Sequence, residues 1–346
     1  MPNCLKCGTD LTVNEEGVAP VLCDRCAGVA TSRARRTMST GTLRDFPATV
    51  TLMAVSILAY LIPMVTGIDL KFWGANIGPL TLSGEYWRLF TAGFLHGDIL
   101  HIGLNMWCLW SLGRLSERLF GKWQTFVIYM LTGVGGALLS IAYDPARNEL
   151  GASGAIFGIV GAVMAGVKFG DLNISSGEKR AIFSSVASFA VMNFVLGMSS
   201  GGIFGNIDNM CHLGGFVSGL LIGVPLGAFA RRHQLYQLAT LVVTALVLAA
   251  AGRELVQTHG ADAQKTAGAF ALKRQDYAKA ARLLEKYTAA RPDDDVGLIW
   301  LGAAYAENNE RDKAIAAFEH ALKVNPSSQG AKNALQILRG DDLPKK

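Results

Sequence analysis

The stretch GASGAIFGIVGAVMAGV, Gly151 to Val167, places a serine between glycines and contains no charged residue. Apolar runs of this kind are typical of helices that cross a lipid bilayer, for which about 20 residues suffice. Stretches without Asp, Glu, Lys or Arg recur along the chain. They cover residues 46–68, 99–113, 123–143, 150–167, 181–207, 209–230 and 233–252. We therefore expect an all-α membrane protein with seven transmembrane helices, of which the second is short.

The overall composition supports this fold class. Of the 346 residues, 51% are hydrophobic, 17% are charged and 39 are glycine, which is too apolar for an ordinary soluble domain. Cytoplasmic segments next to membrane helices are enriched in Lys and Arg. With the N-terminus inside, the inner segments hold twelve such residues and the outer segments four. We expect a plasma or bacterial inner membrane location, a cytoplasmic N-terminus and an external C-terminal segment.

The first 30 residues carry two Cys-x2-Cys pairs separated by fifteen residues. Two tight turns at this spacing place four thiolates around a tetrahedral Zn²⁺ ion, which predicts a small structural zinc ribbon. Two disulfides or four free thiols are the alternatives, and a reducing cytoplasmic location disfavours the disulfides. The candidate ligands are Cys4, Cys7, Cys23 and Cys26.

The C-terminal segment changes to alternating apolar and charged residues after Arg253, and it contains a repeat. Residues 295–328 match the tetratricopeptide pattern, a weaker copy lies 34 residues earlier, and a final helix is expected to cap the stack. A generic pair of helical hairpins is the alternative. The matching positions are Leu301, Gly302, Tyr305, Ala314, Phe318, Ala321 and Pro326, and in the earlier copy Gly268, Ala271, Ala280, Leu284 and Pro292.

These features divide the chain into five parts. The predicted parts are a zinc-ribbon-like segment at 1–30, a basic linker at 31–46, a membrane core at 47–232, a seventh transmembrane helix at 233–253 and repeats at 261–340.

Three polar clusters interrupt the apolar spans. His101 and Asn105 begin the second span, Ser153 begins the fourth, and His212 lies near the start of the sixth. Ionisable groups within a membrane span are costly and point to a function. With the N-terminus inside, these three spans run from outside to inside, so all three clusters are expected at one depth near the outer face.

Glycines predict that the fourth and sixth spans pack together. The sixth span has glycine at every fourth position from Gly215 to Gly227, and the fourth span has Gly154, Gly158 and Gly161. Small residues one turn apart let two membrane helices approach closely. This packing alone indicates only helix association, but it would bring Ser153 within reach of His212.

A serine next to a histidine is the minimal pair for nucleophilic catalysis. A neutral imidazole accepts the hydroxyl proton near neutral pH, which makes the oxygen nucleophilic. No Asp or Glu lies within either span, so we predict a dyad of Ser153 and His212 without a third carboxylate. The side chains of His101 and Asn105, which share a helix face, and the Ser153 N–H are candidate oxyanion donors. The alternatives are that the serine bonds back to its own helix and that the histidine serves helix association or an ion path.

At these residues the sequence resembles the rhomboid family of intramembrane serine proteases. The resemblance covers about residues 46–230 and includes YWRLFTAGFLHGDILHIGLN, GRLSERLFG, GASGAIFG and HLGGFVSGLLIG. The family pattern occurs in order as Trp-Arg, His-x3-Asn, Gly-x-Ser-Gly and His-x2-Gly. Its positions here are Trp87, Arg88, His101, Asn105, Gly151, Ser153, Gly154, His212 and Gly215.

The resemblance implies a six-helix rhomboid core with Ser153 as nucleophile and His212 as base, and with His101 and Asn105 at the oxyanion site. It implies that Trp87 and Arg88 help to structure a loop partly embedded in the outer leaflet. Glu117 would support helix packing near the inner side. One departure is Phe157, because many members have tyrosine at this position; its ring can still stack on the histidine.

The resemblance also implies the partners. Substrates would be single-pass membrane proteins in the lipid bilayer, cut within or just outside it, and catalysis would need no cofactor. The repeats are expected to bind a protein or peptide, and no nucleic-acid partner is expected. A catalytically inactive rhomboid-like protein that binds membrane clients is the alternative, and a transporter or channel is the second; polar clusters at a single depth disfavour a conduit.

Overall fold

The computed structural model describes residues 42–170, 172, 174–198, 208–228 and 234–340. The four cysteines predicted to bind zinc and most of the basic linker lie outside these residues, so both predictions stay predictions. Within the described part, the chain forms fourteen α-helices and one two-stranded antiparallel sheet. The helices are α1 Pro47–Thr66, α2 Leu70–Gly74, α3 Gly78–Leu82, α4 Arg88–Thr91, α5 Ile99–Phe120, α6 Lys122–Tyr143, α7 Ser153–Phe169, α8 Ser176–Met198, α9 Asn209–Ala228, α10 Gln234–Lys273, α11 Tyr277–Ala290, α12 Asp295–Glu307, α13 Arg311–Val324 and α14 Gln329–Arg339, and the strands are β1 Asn76–Ile77 and β2 Asn148–Glu149.

Seven long helices follow the order of the seven predicted spans, and the all-α membrane fold is confirmed. Among the described residues, α1, α6, α9 and α10 are long and apolar enough to cross a membrane, and α7 is a shorter apolar helix. The helices differ from the predicted spans at their ends. The second is not short, since α5 continues to Phe120, and α8 begins at Ser176.

The seventh span does not stop at Gly252 as the sequence predicted. Instead α10 runs without a break from Gln234 to Lys273, a length of 40 residues or about 60 Å. No proline lies between these ends, and residues 253–260 contain good helix formers, so nothing ends the helix. The last membrane helix and the first repeat helix are therefore one element.

Close contact between α7 and α9 forms the centre of the membrane domain. A Cβ atom at Gly215 would lie 2.0 Å from the carbonyl oxygen of Gly154, and one at Gly219 would lie 2.0 Å from that of Gly158. The backbones therefore touch, as the glycine spacing predicted. On the other side of α9, Gly135 of α6 faces Ser218.

A buried carboxylate joins α5 to the start of α1. One oxygen of Glu117 accepts hydrogen bonds from the N–H and the hydroxyl of Thr49, both at 2.6 Å. The other oxygen accepts from the N–H of Ala48 at 3.3 Å. These N–H groups belong to the first turn of α1, where intrahelical partners are lacking.

We expect Glu117→Ala to destabilise the membrane domain by about 2–4 kcal/mol, because it leaves buried donors of α1 unpaired. Thermal unfolding of the purified protein in detergent measures this loss. The matched control is Glu254→Ala, since Glu254 is an exposed carboxylate on α10. Equal melting temperatures for the two variants would contradict the role assigned to Glu117.

The repeats have the packing that their 34-residue period predicted. A Cβ atom at Gly268 would lie 2.6 Å from Leu284, and one at Gly302 would lie 2.8 Å from Phe318. The two glycines are 34 residues apart, and so are the two side chains that cover them. Helices α10 and α11 form the first repeat, α12 and α13 form the second, and α14 packs on α13.

A charged cluster links the two repeats. Asp294 accepts hydrogen bonds from Lys265 at 2.5 Å and from the Tyr287 hydroxyl. Burial disfavours the charged carboxylate, but these hydrogen bonds and the lysine charge outweigh it and lower the pKa of Asp294. A carboxyl group with a lowered folded-state pKa stabilises the fold above its unfolded pKa, and this stabilisation is lost as the pH falls through the folded-state pKa.

We therefore expect Asp294→Asn to lower the melting temperature of the full chain at pH 7. The difference from wild type should be smaller at pH 3 than at pH 7, because the stabilisation declines as the pH falls below the unfolded-state pKa toward the lowered folded-state pKa. The control is Asp293→Asn, since Asp293 is the exposed neighbour. A difference that is the same at both pH values would contradict this electrostatic contribution.

Candidate active site

Ser153 is the first residue of α7. The first N–H groups of a helix have no partner within it, so the backbone around Ser153 offers free donors. Gly151 has a φ of 132°, a conformation that favours glycine. A Cβ atom there would lie 2.7 Å from Nε2 of His101 and 3.9 Å from Oγ of Ser153. Gly151 thus allows the histidine and the serine to approach the same turn.

His212 lies in the first turns of α9 and faces α7. Its ring stacks on the ring of Phe157, with centroids 4.3 Å apart and planes inclined by 12°. Nδ1 of His212 is buried and has no hydrogen-bond partner among the described residues. Next to it, Cys211 contacts Gly154, where a Cβ atom would lie 2.5 Å from the sulfur. The imidazole is therefore placed by stacking and helix contact, one turn along α7 from Ser153.

His101 and Asn105 lie one turn apart at the start of α5. Nδ1 of His101 accepts a hydrogen bond from the N–H of Gly97 at 3.3 Å. This contact assigns the proton of a neutral His101 to Nε2, which faces Gly151. Asn105 is buried and donates to the carbonyl oxygen of His101 at 2.9 Å, so one amide N–H of Asn105 is used within its own helix.

Trp87 and Arg88 lie in the segment between α1 and α5, residues 67–98, which we call the α1–α5 loop. Arg88 is 1% exposed and donates to the carbonyl oxygens of Phe72 and Ala75 at 2.9 and 2.8 Å. It also binds the carboxylate of Glu85 at 2.5 Å. Trp87 is half exposed, and its Nε1 donates to the carbonyl oxygen of Trp73 at 3.2 Å. The buried guanidinium of Arg88 thus connects Phe72, Ala75 and Glu85 within the loop.

The sequence reasoning missed Asp208, which caps α9. Its Oδ1 accepts from the N–H groups of Met210 and Cys211 at 3.1 and 3.0 Å. Its Oδ2 accepts from the Ser140 hydroxyl at 2.5 Å and pairs with Arg147 at 3.3 Å. The available signal was an aspartate directly before an apolar run, which is typical of a helix N-terminus.

Two further residues near the site, His96 and Glu149, were also missed. His96 is 1% exposed, and its ring packs against the edge of the His101 ring with centroids 5.0 Å apart. Glu149 of β2 accepts from Asn76 at 3.0 Å and from Cys211 at 3.2 Å. Both residues lie in non-helical segments, where the sequence has no periodicity that would predict their neighbours.

The structure therefore brings Ser153, His212, His101 and Phe157 to one end of the helix bundle. The N-termini of α5, α7 and α9 meet at this end, as the alternating direction of the spans predicted. Glu117 lies at the opposite end of α5. Comparison with known proteins agrees with this arrangement: residues 83–229 match the family model described as the Rhomboid domain.

This part of the chain is a rhomboid domain. Residues 271–338 match the Tetratricopeptide repeat model, so the rhomboid domain is followed by tetratricopeptide repeats. Both identities agree with those predicted from the sequence.

Several relatives are themselves described as rhomboid proteins. Rhomboid protease GluP of Bacillus subtilis (strain 168) is 29% identical over 301 residues, which are 83% of this chain and 56% of the relative. RHOMBOID-like protein 4 of Arabidopsis thaliana is 31% identical over 192 residues, 51% of this chain and 47% of the relative. Rhomboid protease AarA of Providencia stuartii is 28% identical over 227 residues, 58% of this chain and 79% of the relative. The chain thus spans about half the length of the first two.

Proposed function

We propose that the protein is an intramembrane serine endopeptidase that cleaves transmembrane segments of membrane proteins. The observation that carries the proposal is the position of His212, stacked on Phe157 one turn along α7 from Ser153. The two relatives named as rhomboid proteases support it at the level of the family.

In the proposed reaction, Oγ of Ser153 attacks the carbonyl carbon of the scissile peptide bond. We assign the acceptance of the hydroxyl proton to Nε2 of His212, since Nδ1 is buried and has no hydrogen-bond partner among the described residues. Collapse of the tetrahedral intermediate breaks the C–N bond, and the imidazolium gives its proton to the leaving amine. Water then attacks the acyl-enzyme with His212 again as base, and the proton returns to Oγ as the acid is released.

The developing oxyanion requires donors aimed at it. We assign Nε2–H of His101, the remaining amide N–H of Asn105 and the backbone N–H of Ser153 to this role. The contact of Gly97 with Nδ1 of His101 supports the assignment, because it leaves the proton on Nε2. The absence of a side chain at Gly151 lets Nε2 of His101 lie close to the turn before Ser153.

Phe157 provides a prediction specific to this dyad. We expect Phe157→Leu to lower kcat/KM by about tenfold, because it removes the ring that orients the imidazole. Phe157→Tyr keeps the ring and should stay within about twofold of wild type. Cleavage of a model transmembrane substrate at several concentrations measures both values. Equal losses in the two variants would contradict an orienting role for the stacked ring.

The decisive test of function is proteolysis by wild type and by Ser153→Ala, each purified and incubated with a model transmembrane substrate. We expect cleavage by wild type only, and labelling of Ser153 by a fluorophosphonate. Equal product from both proteins, or absence of labelling, would remove the protease proposal. Binding of the substrate without cleavage would then favour an inactive, client-binding rhomboid-like protein.

We further propose a membrane orientation that places the site and the repeats outside. The charge bias of the inner segments supports it, and the repeats contact the end of the bundle that carries Ser153, so both lie on one side. Labelling of an introduced cysteine at exposed Lys332 in intact cells with a membrane-impermeant reagent tests the proposal. Labelling only after lysis would contradict it.

The N-terminal cysteines are proposed to hold a structural Zn²⁺ that takes no part in catalysis. Their Cys-x2-Cys spacing supports this. Metal analysis of the purified protein should give about one zinc per chain, and the double variant Cys4→Ser with Cys7→Ser should give none. Zinc content that the double substitution leaves unchanged would contradict the assignment.

A further inference from the structure

The first repeat packs directly on the α1–α5 loop. Leu80 of α3 forms a buried cluster with Ala267 of α10 and Leu283 of α11. A second buried cluster contains Leu82 of α3 and Ala263 of α10. All five residues of α3 are buried, and a single-turn helix in a loop reaches such burial only when another element covers it. Here the repeat domain supplies that cover.

Charged contacts lie beside these apolar clusters. Lys279 of α11 donates to Glu85, the same carboxylate that binds the buried Arg88. The guanidinium of Arg274, which follows α10, lies over the ring of Phe72 in α2. Burial raises the pKa of Glu85, but the hydrogen bonds and charges of Lys279 and Arg88 outweigh it and lower the pKa overall. The carboxylate of Glu85 is therefore charged at neutral pH, and Lys279 of the repeat domain balances its negative charge.

Polar contacts lead from the covered loop to the site. The Thr81 hydroxyl donates to the side chain of Asn76 at 2.7 Å. Asn76 donates in turn to Glu149 at 3.0 Å, and their backbones pair as β1 and β2. Glu149 accepts from Cys211 at 3.2 Å. It lies four residues before the proposed nucleophile, and Cys211 directly precedes the proposed base.

These contacts connect the repeats with Glu149, which lies shortly before Ser153, and with Cys211, which directly precedes His212. We propose that the first tetratricopeptide repeat is a positioning element of the rhomboid site, with Lys279 holding the α1–α5 loop so that β1 fixes the segment before Ser153. The effect on rate rests on the proposed protease function, whereas the effect on structure does not. The repeat face that carries Lys279 and Leu283 is occupied by the chain's own loop, so a ligand of the repeats would use another face.

Amide hydrogen exchange of the full chain in detergent tests the structural part. Lys279→Glu places two carboxylates together at the contact, and we expect exchange in residues 76–82 and 148–152 to rise about tenfold. Lys279→Arg keeps the charge and should exchange like wild type. The control is Lys286→Glu, since Lys286 is exposed on the same helix. If Lys279→Glu accelerates exchange only within the repeats, or nowhere, the inference is overturned.

Kinetics of transmembrane-substrate cleavage test the functional part. We expect Lys279→Glu to lower kcat about fivefold or more with a smaller change in KM, because the segment before the nucleophile is displaced. Lys279→Arg and Lys286→Glu should match wild type. An unchanged kcat in Lys279→Glu would overturn the positioning role. If wild type itself does not cleave, the protease proposal falls, and the exchange experiment still decides whether the repeat positions the loop.

Discussion

Gly219→Ala is expected to prevent stable folding of the rhomboid domain, although it adds a single methyl group. The new Cβ atom would lie 2.0 Å from the carbonyl oxygen of Gly158 and 2.8 Å from its carbonyl carbon. Backbone atoms of a buried helix cannot move aside as a flexible side chain can, so α7 and α9 would have to separate. We expect a loss of more than about 4 kcal/mol, which exceeds the usual cost of overpacking because backbone must move.

The matched control is Gly103→Ala, the same change in another helix of the bundle. A Cβ atom at Gly103 meets nothing within 4 Å, and alanine is the better helix former by about 1 kcal/mol. Gly103→Ala should therefore melt at or above the wild-type temperature, whereas Gly219→Ala should give little folded protein by size-exclusion chromatography and thermal unfolding. Similar melting curves for the two variants would show that the α7–α9 contact can relax.

Arg88→Met is expected to disorder the α1–α5 loop. The guanidinium is 1% exposed and binds two carbonyl oxygens and the carboxylate of Glu85. Methionine fills part of the volume but leaves a buried carboxylate with Lys279 as its remaining cation in this cluster. Removal of one partner of a buried ion pair costs about 3–5 kcal/mol, and we expect most of this cost to appear as local opening.

Limited proteolysis measures that opening, with cleavage between residues 67 and 98 expected to be at least about tenfold faster in Arg88→Met. Arg88→Lys keeps the charge but loses the planar donor geometry, so it should lie between wild type and Arg88→Met. The control is Arg253→Met, since Arg253 is exposed on α10. Wild-type cleavage rates in Arg88→Met would mean that the apolar contacts of the loop are sufficient by themselves.

Much of the fold could be predicted from residue patterns that act locally. Long uncharged runs predicted the order of the seven long helices, and the glycine spacing predicted that α7 and α9 touch. The 34-residue offset between Gly268 and Gly302 predicted the repeat packing. Each of these patterns is periodic within a helix, so it is visible without knowledge of the other elements.

The features that were not predicted depend on contacts between distant segments. Glu85 and Lys279 are 194 positions apart, and single charged residues in a loop carry no periodicity that would pair them. The contacts of Glu149 arise from a two-residue strand, which is too short to have a pattern. For α10, the change in composition after Arg253 suggested a boundary, but composition alone does not end a helix; a breaking residue does.

The unbroken α10 has a consequence for how the lipid environment acts on the protein. A transmembrane helix adapts to a change in bilayer thickness largely by tilting. No proline lies between its lipid-facing half and its repeat half, so a tilt of the continuous α10 moves the far end sideways, where Ala263 and Ala267 touch α3. We therefore expect the hydrocarbon thickness to act on the α1–α5 loop, whose strand β1 pairs with β2 before Ser153.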